Sequence, residues 1–474
     1  MSNKSRTGRS AAMMMSCVLF SSMLSACSGG TVRGSERAEA TPSGETEPLQ
    51  QAAGGTAESP TGTASSGTAA GKKTIVFATF YETDFLKEAI QKYEAKHPDI
   101  QIQMTYAHPA GNDAQWEADQ EKFIKTMNTQ MLTGKGPDLL ELDQLPMDKY
   151  AGKKLLLNLS EKMEQDSSFH REQYFTNILD NTKLGGSVYG IPLRFYLYAM
   201  IGNEEGLEKS GVPFDDKSWT WQQFIQTAKA LAKQGSHPYA FYGDEILLLT
   251  DMVNESYDRY VDAVNRKASF DSPAFVGLLK QIKAMIDGKL VNNHGRSDTF
   301  FRMDTVSSIR SYTLAGTNLT ESYSKVKLYN KPKAEGQKPG GFFKTDTTLG
   351  INAKSAVHNE TWEFLKFLLS DETEPGGFSV NKQAYKKQAE QMLQVGTVKA
   401  DEEGPLKGKE FKVTPTQVQE LEAYLTDAIH PVEYRPSKVE QILTEEAAAF
   451  FKGQKSAEAV AKLVQNRVST YLNE

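Results

Sequence analysis

Cysteine is almost missing from this 474-residue chain. The two present, Cys17 and Cys27, both sit near the start, so no disulfide framework, thiolate metal site or cysteine nucleophile is available to the rest of the sequence. Histidine is scarce as well. The seven residues form no His-Glu-x-x-His and no closely spaced set. His97, His108 and His237 each precede a proline and read as turn residues, not metal ligands. No P-loop and no Gly-x-Gly-x-x-Gly opens a helix, so no cofactor and no metal is expected. A basic excess is lacking too: the formal charge is −6, or −9 without Lys4, Arg6 and Arg9, which argues against nucleic acid or an anionic membrane surface as a partner. Long apolar runs are also absent. The longest, Ala11 to Leu24, falls short of the ~20 residues a transmembrane helix requires.

That run is informative for another reason. It follows Lys4, Arg6 and Arg9 with no acid among them and leads into Leu24-Ser25-Ala26-Cys27, the layout of a secretory signal with small residues at a cleavage point. The stretch resembles the lipobox of bacterial lipoproteins. That resemblance implies a signal peptide over 1–26 and a thioether-linked diacylglycerol on Cys27, further acylated, that holds the protein on the outer face of the cell membrane; a single acyl chain would hold it only marginally. Residues 27–72 are dominated by Gly, Ser, Thr, Ala, Glu and Pro. Such a composition cannot offset its ordering entropy by burial, so the segment reads as a flexible tether.

About 400 residues remain, more than a single core usually organises, so two lobes are expected. Thr74 to Phe80 is a short apolar β-rich run, as in a buried parallel strand. Phe85, Leu86, Ala89, Ile90 and Tyr93 then recur on one helical face and His97-Pro98 stops them. Ile100, Ile102 and Met104 alternate with polar residues as a second strand. A helix is expected from Asp119 to Leu132 and a third strand from Asp138 to Leu142, a βαβ rhythm that indicates a doubly wound lobe. Ligands gather beyond the carboxyl ends of such strands, which marks Tyr81, Glu82, Asp143 and Gln144.

Further on, Leu193 to Ile201 reads as an extended crossing strand. Thr220 and Gln223 form a capping box for a helix to about Ala232, and Tyr239 to Tyr242 and Val326 to Tyr329 read as strands. Helical faces recur at Phe275 to Ile286, Glu360 to Leu369 and Val460 to Leu472. Trp219 and Trp362 read as packing residues, while Trp116 and Trp221 stay open between packing and ligand contact.

Gly136-Pro137-Asp138-Leu139, Val188-Tyr189-Gly190-Ile191-Pro192, Trp219-Thr220-Trp221, Gly350-Ile351-Asn352 and Trp362-Glu363-Phe364-Leu365, taken in order with the lipobox, resemble the extracellular solute-binding proteins of ABC importers, in the group that includes maltose-binding protein. The resemblance covers nearly all of 73–474. It implies an α/β, two-lobed periplasmic-binding-protein-like fold, each lobe a mostly parallel sheet flanked by helices, joined by three crossings near Leu193 to Tyr196, Val326 to Lys331 and Phe378 to Asn381. The lobes implied are 73–193 with 331–378, and 194–330 with 379–474. It also implies a monomer that captures a carbohydrate by hinge closure and presents it to the transmembrane subunits of a permease, without catalysis. Carried over by position, the ligand contacts are Tyr81, Glu82, Asp143, Gln144, Arg194, Tyr196, Tyr242, Asp244, Tyr312, and Gly341 with Phe342 and Phe343 in a loop. Asp304 to Ser311 departs from the family's pattern of small residues and Met, which loosens the placement of Arg310 and Tyr312.

Such a set suits a sugar, whose C–H faces stack on aromatics and whose hydroxyls meet carboxylates, amides and guanidinium groups. Each of these residues also has a plain reading as a solvated loop side chain or a core aromatic. Arg194, Arg302 and Arg310 together would suit an acidic sugar. Two other functions stay open: the same fold binding a peptide, polyamine or iron, and a glycan-acting enzyme using carboxylates such as Glu82 and Asp143.

Overall fold

The computed structural model describes residues 71–111, 113–234, 237–262, 265–293, 299–315, 326–400, 407–432 and 438–473. The signal-like segment, Cys27 and almost all of the tether lie outside the described residues. Among the described residues no helix is long and apolar enough to cross a membrane.

Among the described residues, eleven strands form one sheet: β1 (Lys73–Tyr81), β2 (Ile100–His108), β3 (Leu139–Glu141), β4 (Ile191–Asn203), β5 (Tyr239–Tyr242), β6 (Val291–Asn292), β7 (Thr299–Val306), β8 (Val326–Tyr329), β9 (Gly341–Ile351), β10 (Phe378–Ser379) and β11 (Ala428–Pro431). The main path runs β2-β1-β3-β9-β4-β7-β5-β6. Its two ends are parallel, β1 with β2 and β3 and β5 with β6 and β7, while β3-β9, β9-β4 and β4-β7 are antiparallel. The parallel pairing expected of each lobe thus holds at its outer strands. Antiparallel pairing takes over where long strands travel between the lobes.

The middle of β1 is largely apolar because, apart from the exposed Val76, its side chains pack on both faces. Ile75 and Phe77 enter one core and Ala78 and Phe80 another, the period-2 alternation of a strand buried on both sides. Helix α1 (Asp84–Lys96) buries Leu86, Ala89, Ile90 and Tyr93. Helix α2 (Trp116–Thr133) buries Phe123, Met127 and Met131 and stops at Gly134, whose φ of 74° suits a residue without a Cβ.

A separate core fills the second lobe. It gathers apolar side chains from α3 (Trp221–Gln234), α4 (Glu245–Asn254), α5 (Pro273–Asp287), α6 (Lys438–Phe451) and α7 (Ala457–Asn473) around Phe300 and Phe301 of β7. The expected capping box begins α3: the Gln223 amide N–H donates to Thr220 Oγ1 at 3.3 Å and the Thr220 N–H to Gln223 Oε1 at 2.8 Å. Trp219 and Trp221 are both buried in this core, and the Trp219 indole donates to the Asn330 carbonyl at 2.9 Å.

β4 joins the two lobes. One of its edges pairs with β9 from Ile191 to Tyr198 and then with β8 from Met200 to Asn203; the other pairs with β10 at Arg194 and Phe195 and then with β7 from Leu197 to Gly202. The three expected crossing segments therefore meet on a single strand. Beneath this junction Lys331, with no exposed side chain, is ion-paired to Glu255 and lies 4.2 Å from the Tyr198 ring and 5.4 Å from that of Phe342. The Tyr198 hydroxyl donates to Asp251. Burial pulls the Lys331 ammonium down while Asp251 raises it. Removing one partner of such a buried set strands the other charge, at roughly 3–5 kcal/mol.

Gly202 marks the tightest approach on β4. A Cβ there would meet the buried Tyr329 ring at 2.6 Å and Phe301 at 3.0 Å, so Gly202→Ala is expected to destabilise the protein by about 1–3 kcal/mol through overpacking. Urea unfolding checks this, and an unchanged midpoint would remove the claim that the junction is close-packed.

Candidate functional site

The carboxyl ends of β1 and β3 open into a cleft of ≈ 2630 Å³ between the lobes. Tyr81, Glu82, Trp116, Asp143 and Gln144 line it from the first lobe, Arg194 from β4 at the junction, and Tyr257, Arg259, Lys438, Gln441 and Tyr471 from the second lobe. The strand termini place their side chains here for the reason the sequence suggests: a parallel strand releases its chain at its carboxyl end. The lobes also touch across this space. Lys149 Nζ donates to the Tyr471 carbonyl at 3.1 Å and lies 4.2 Å from its ring.

An aromatic corner forms one end of the first wall. The Trp116 indole N–H donates to the Tyr81 hydroxyl at 2.8 Å, and Phe80 packs edge-on against both rings. His108 closes the corner from behind. It is buried, stacked on Phe80 with centroids 5.6 Å apart, and its Nδ1 lies 2.9 Å from Asp119. The turn reading of His108 is corrected here: it ends β2, and its neighbouring proline begins the loop.

Beside the corner lies a carboxylate cluster held by backbone donors. Glu141 accepts from the Phe80 N–H at 3.0 Å, and Asp143 from the Thr348 N–H at 3.1 and 3.3 Å. Asp346 receives Arg194 Nε at 3.0 Å and Nη2 at 2.8 Å, the Tyr196 hydroxyl at 3.0 Å and the Thr347 hydroxyl at 2.7 Å. Burial, then the charges of Asp143 and Asp346, push the Glu141 carboxyl up to about 8, against the Phe80 N–H and Arg194. Glu82 is the opposite case: its bond to Lys87 holds it below the usual carboxylate range. Among the described residues no group of His, Cys, Asp and Glu is arranged to hold a metal ion.

Of the twelve positions expected to touch ligand, Tyr81, Glu82, Asp143, Gln144 and Arg194 come together in this cleft. The other seven lie elsewhere. Tyr196 stands behind the wall, orienting Asp346. Tyr242 ends β5, and Asp244 caps α4, accepting from Ile246 N–H at 3.0 Å and Leu247 N–H at 2.8 Å. Tyr312 packs against the first core and donates to Glu420 at 3.3 Å. Gly341, Phe342 and Phe343 start strand β9, not a loop, because pairing with β4 and β11 draws them into the sheet; Phe342 and Phe343 are buried there. Trp116, left open between packing and ligand contact, lies in the cleft, and Gln120, Glu141 and Asp346 are cleft residues that sequence reasoning did not single out. The one usable signal was Glu141, a lone acid inside the apolar run Leu139-Leu140-Glu141-Leu142.

The raised Glu141 carboxyl gives a pH test. A carboxyl whose folded pKa lies above its unfolded value contributes stability that is present below about 4.5 and lost as pH rises toward 8. Glu141→Gln is therefore expected to gain relative to the parent protein as pH rises from 5 to 8. Melting temperatures of the two across that window check it; a constant difference would mean that Glu141 is already ionised at pH 5.

The family described as bacterial extracellular solute-binding protein matches residues 80–375. A lactose-binding protein of Rhizobium radiobacter is 26% identical over 161 residues, 33% of this chain and 35% of that protein; the chain thus matches about a third of this relative's length. Among solved structures, a periplasmic oligogalacturonide-binding protein from Yersinia enterocolitica aligns with TM-score 0.59 and 16% identity, over 85% of this chain and 99% of that one. The sugar-binding protein MalE from Xanthomonas citri aligns with TM-score 0.58 and 14% identity, over 85% and 98%. At such identities the likeness is one of fold, and it agrees with the two-lobed α/β architecture. With the family match spanning more than half of its residues, the chain belongs to the bacterial extracellular solute-binding proteins.

Proposed function

We propose that this protein captures an uncharged sugar or oligosaccharide in the cleft, closes on it about β4, and delivers it unchanged to the transmembrane subunits of an ABC importer, while a lipid on Cys27 holds it at the membrane. The observation that carries this reading is the Tyr81–Trp116 corner set directly beside fixed carboxylates and amides. A pyranose offers an apolar face and a rim of hydroxyls, and this wall supplies a partner for each. The lactose, oligogalacturonide and MalE relatives support the carbohydrate class.

Charge narrows the class. Of the arginines lining the cleft, Arg194 is spent on Asp346 and on the Pro375 carbonyl at 2.5 Å. Arg302 is buried against Asp304. Arg259 and Lys438 also line the cleft, but acidic residues outnumber lysine and arginine along its lining by thirteen to six, which favours a neutral ligand over an anionic one.

Non-covalent capture is favoured over glycan cleavage for a geometric reason. Glycosidases flank the scissile bond with two carboxyl groups, whereas Glu141 and Asp143 leave the same strand end on the same lobe and are both tied to backbone N–H groups.

Ligand that binds only the folded state raises the melting point by mass action. In a thermal-shift screen, neutral sugars are expected to stabilise the protein while uronates, peptides, polyamines and metal ions do not; stabilisation by uronates alone would replace the neutral-ligand reading, and by peptides, polyamines or metal ions alone the sugar reading. Trp116→Ala is expected to weaken the best sugar about tenfold, the value of one aromatic face. Calorimetric titration measures it, and unaltered affinity would take the corner out of the binding site.

A further inference from the structure

Helix α2 carries a second stripe beside its buried one. Trp116, Gln120, Ile124, Asn128 and Leu132 all line the cleft and recur at every fourth residue, so they form one i±4 ridge crossing the helix obliquely. Phe123, Met127 and Met131 pack the core one residue earlier in the turn. The ridge alternates in chemistry. Trp116, Ile124 and Leu132 offer apolar surface; Gln120 and Asn128 offer amides, already oriented by bonds to Gln144 at 2.6 Å and to the Tyr150 hydroxyl at 2.8 Å. Its far end, Leu132, is 52% exposed, a large apolar side chain left open at the cleft edge.

Length is the telling quantity. From Trp116 to Leu132 the helix axis advances about 24 Å, in steps of about 6 Å, each close to the span of one pyranose ring. The cleft volume of ≈ 2630 Å³ is several times the ~300–1,000 Å³ that encloses an ordinary small molecule. Across the cleft, the exposed side chains of Lys438, Gln441 and Thr444 on α6 provide a polar facing wall.

From this alternation and length we propose that the ligand is an extended oligosaccharide of several units laid along the α2 ridge, one end stacked at Trp116 and Tyr81 and the other covering Leu132. The proposal rests on the sugar reading above and adds chain length to it. Each ring of a glycan carries both an apolar face and hydroxyl edges, and the ridge presents an apolar side chain about every 12 Å with an amide between, so apolar contacts fall on about every second ring. A monosaccharide stacked at Trp116 would leave the exposed side chain of Leu132 uncovered.

The test is calorimetric titration of the full protein with the gluco-, xylo- and galacto-oligosaccharide series, from monosaccharide to hexasaccharide, repeated with Leu132→Asp. In the series that binds, affinity is expected to climb with each added unit to the tetramer or beyond. Leu132→Asp is expected to weaken the hexasaccharide about tenfold while leaving the disaccharide unchanged, since only the longer chain covers that side chain. A disaccharide bound as tightly as the hexasaccharide, or a hexasaccharide indifferent to Leu132→Asp, would overturn the extended-chain proposal and leave the sugar reading intact. Absence of binding by every member of every series would overturn the sugar reading itself.

Discussion

Backbone pairing along β4 is the constraint on which the rest of this molecule depends. Its amides and carbonyls are shared among four strands, two from each edge, and unmade hydrogen bonds in a buried strand cost far more than made ones return. The strand cannot slide. A shift of one residue would exchange its two faces, moving Phe195 and Leu197 out of one core and Met200 out of the other. Two apolar interiors are thereby held in one register, and the cleft is the space left where their outer strands diverge.

Beneath that strand the junction is ionic as well as apolar. Lys331, Glu255, Asp251 and Tyr198 form a buried charged set at the place where the lobes join. Charges in such surroundings add little net stability compared with apolar packing of equal volume, yet they tolerate few geometries. Such a set fixes one geometry at the junction. Trp221 reaches the set through Glu255 at 3.3 Å, linking it to the helical core of the second lobe.

Local pattern revealed the outer parts of the fold and not its centre. β1, α1 and β2 were readable because each buries a regular face against its immediate neighbours, and the ends of β1 and β3 therefore located Tyr81, Glu82, Asp143 and Gln144. β4 was read as a crossing strand, but its four partners are distant in sequence and no periodicity encodes them. The same reason hides the first part of β9. Gly341 to Phe343 reads as a loop, yet the strand begins there, and the half-buried polar residues that follow, Thr345, Asp346 and Thr347, border the cleft. Trp116 was undecided because its role depends on how α2 is rotated against the sheet, and only packing of Phe123, Met127 and Met131 fixes that rotation.

The bond from Lys149 to Tyr471 has an effect out of proportion to its size. It joins residues 322 positions apart, fastening a short helix of the first lobe to the last turns of α7. The lobes are thus joined at their rim as well as at their root, and the last turns of α7 stand at the mouth of the cleft. Anything that tugs on or unwinds those final turns would be felt at the opening through which cargo enters.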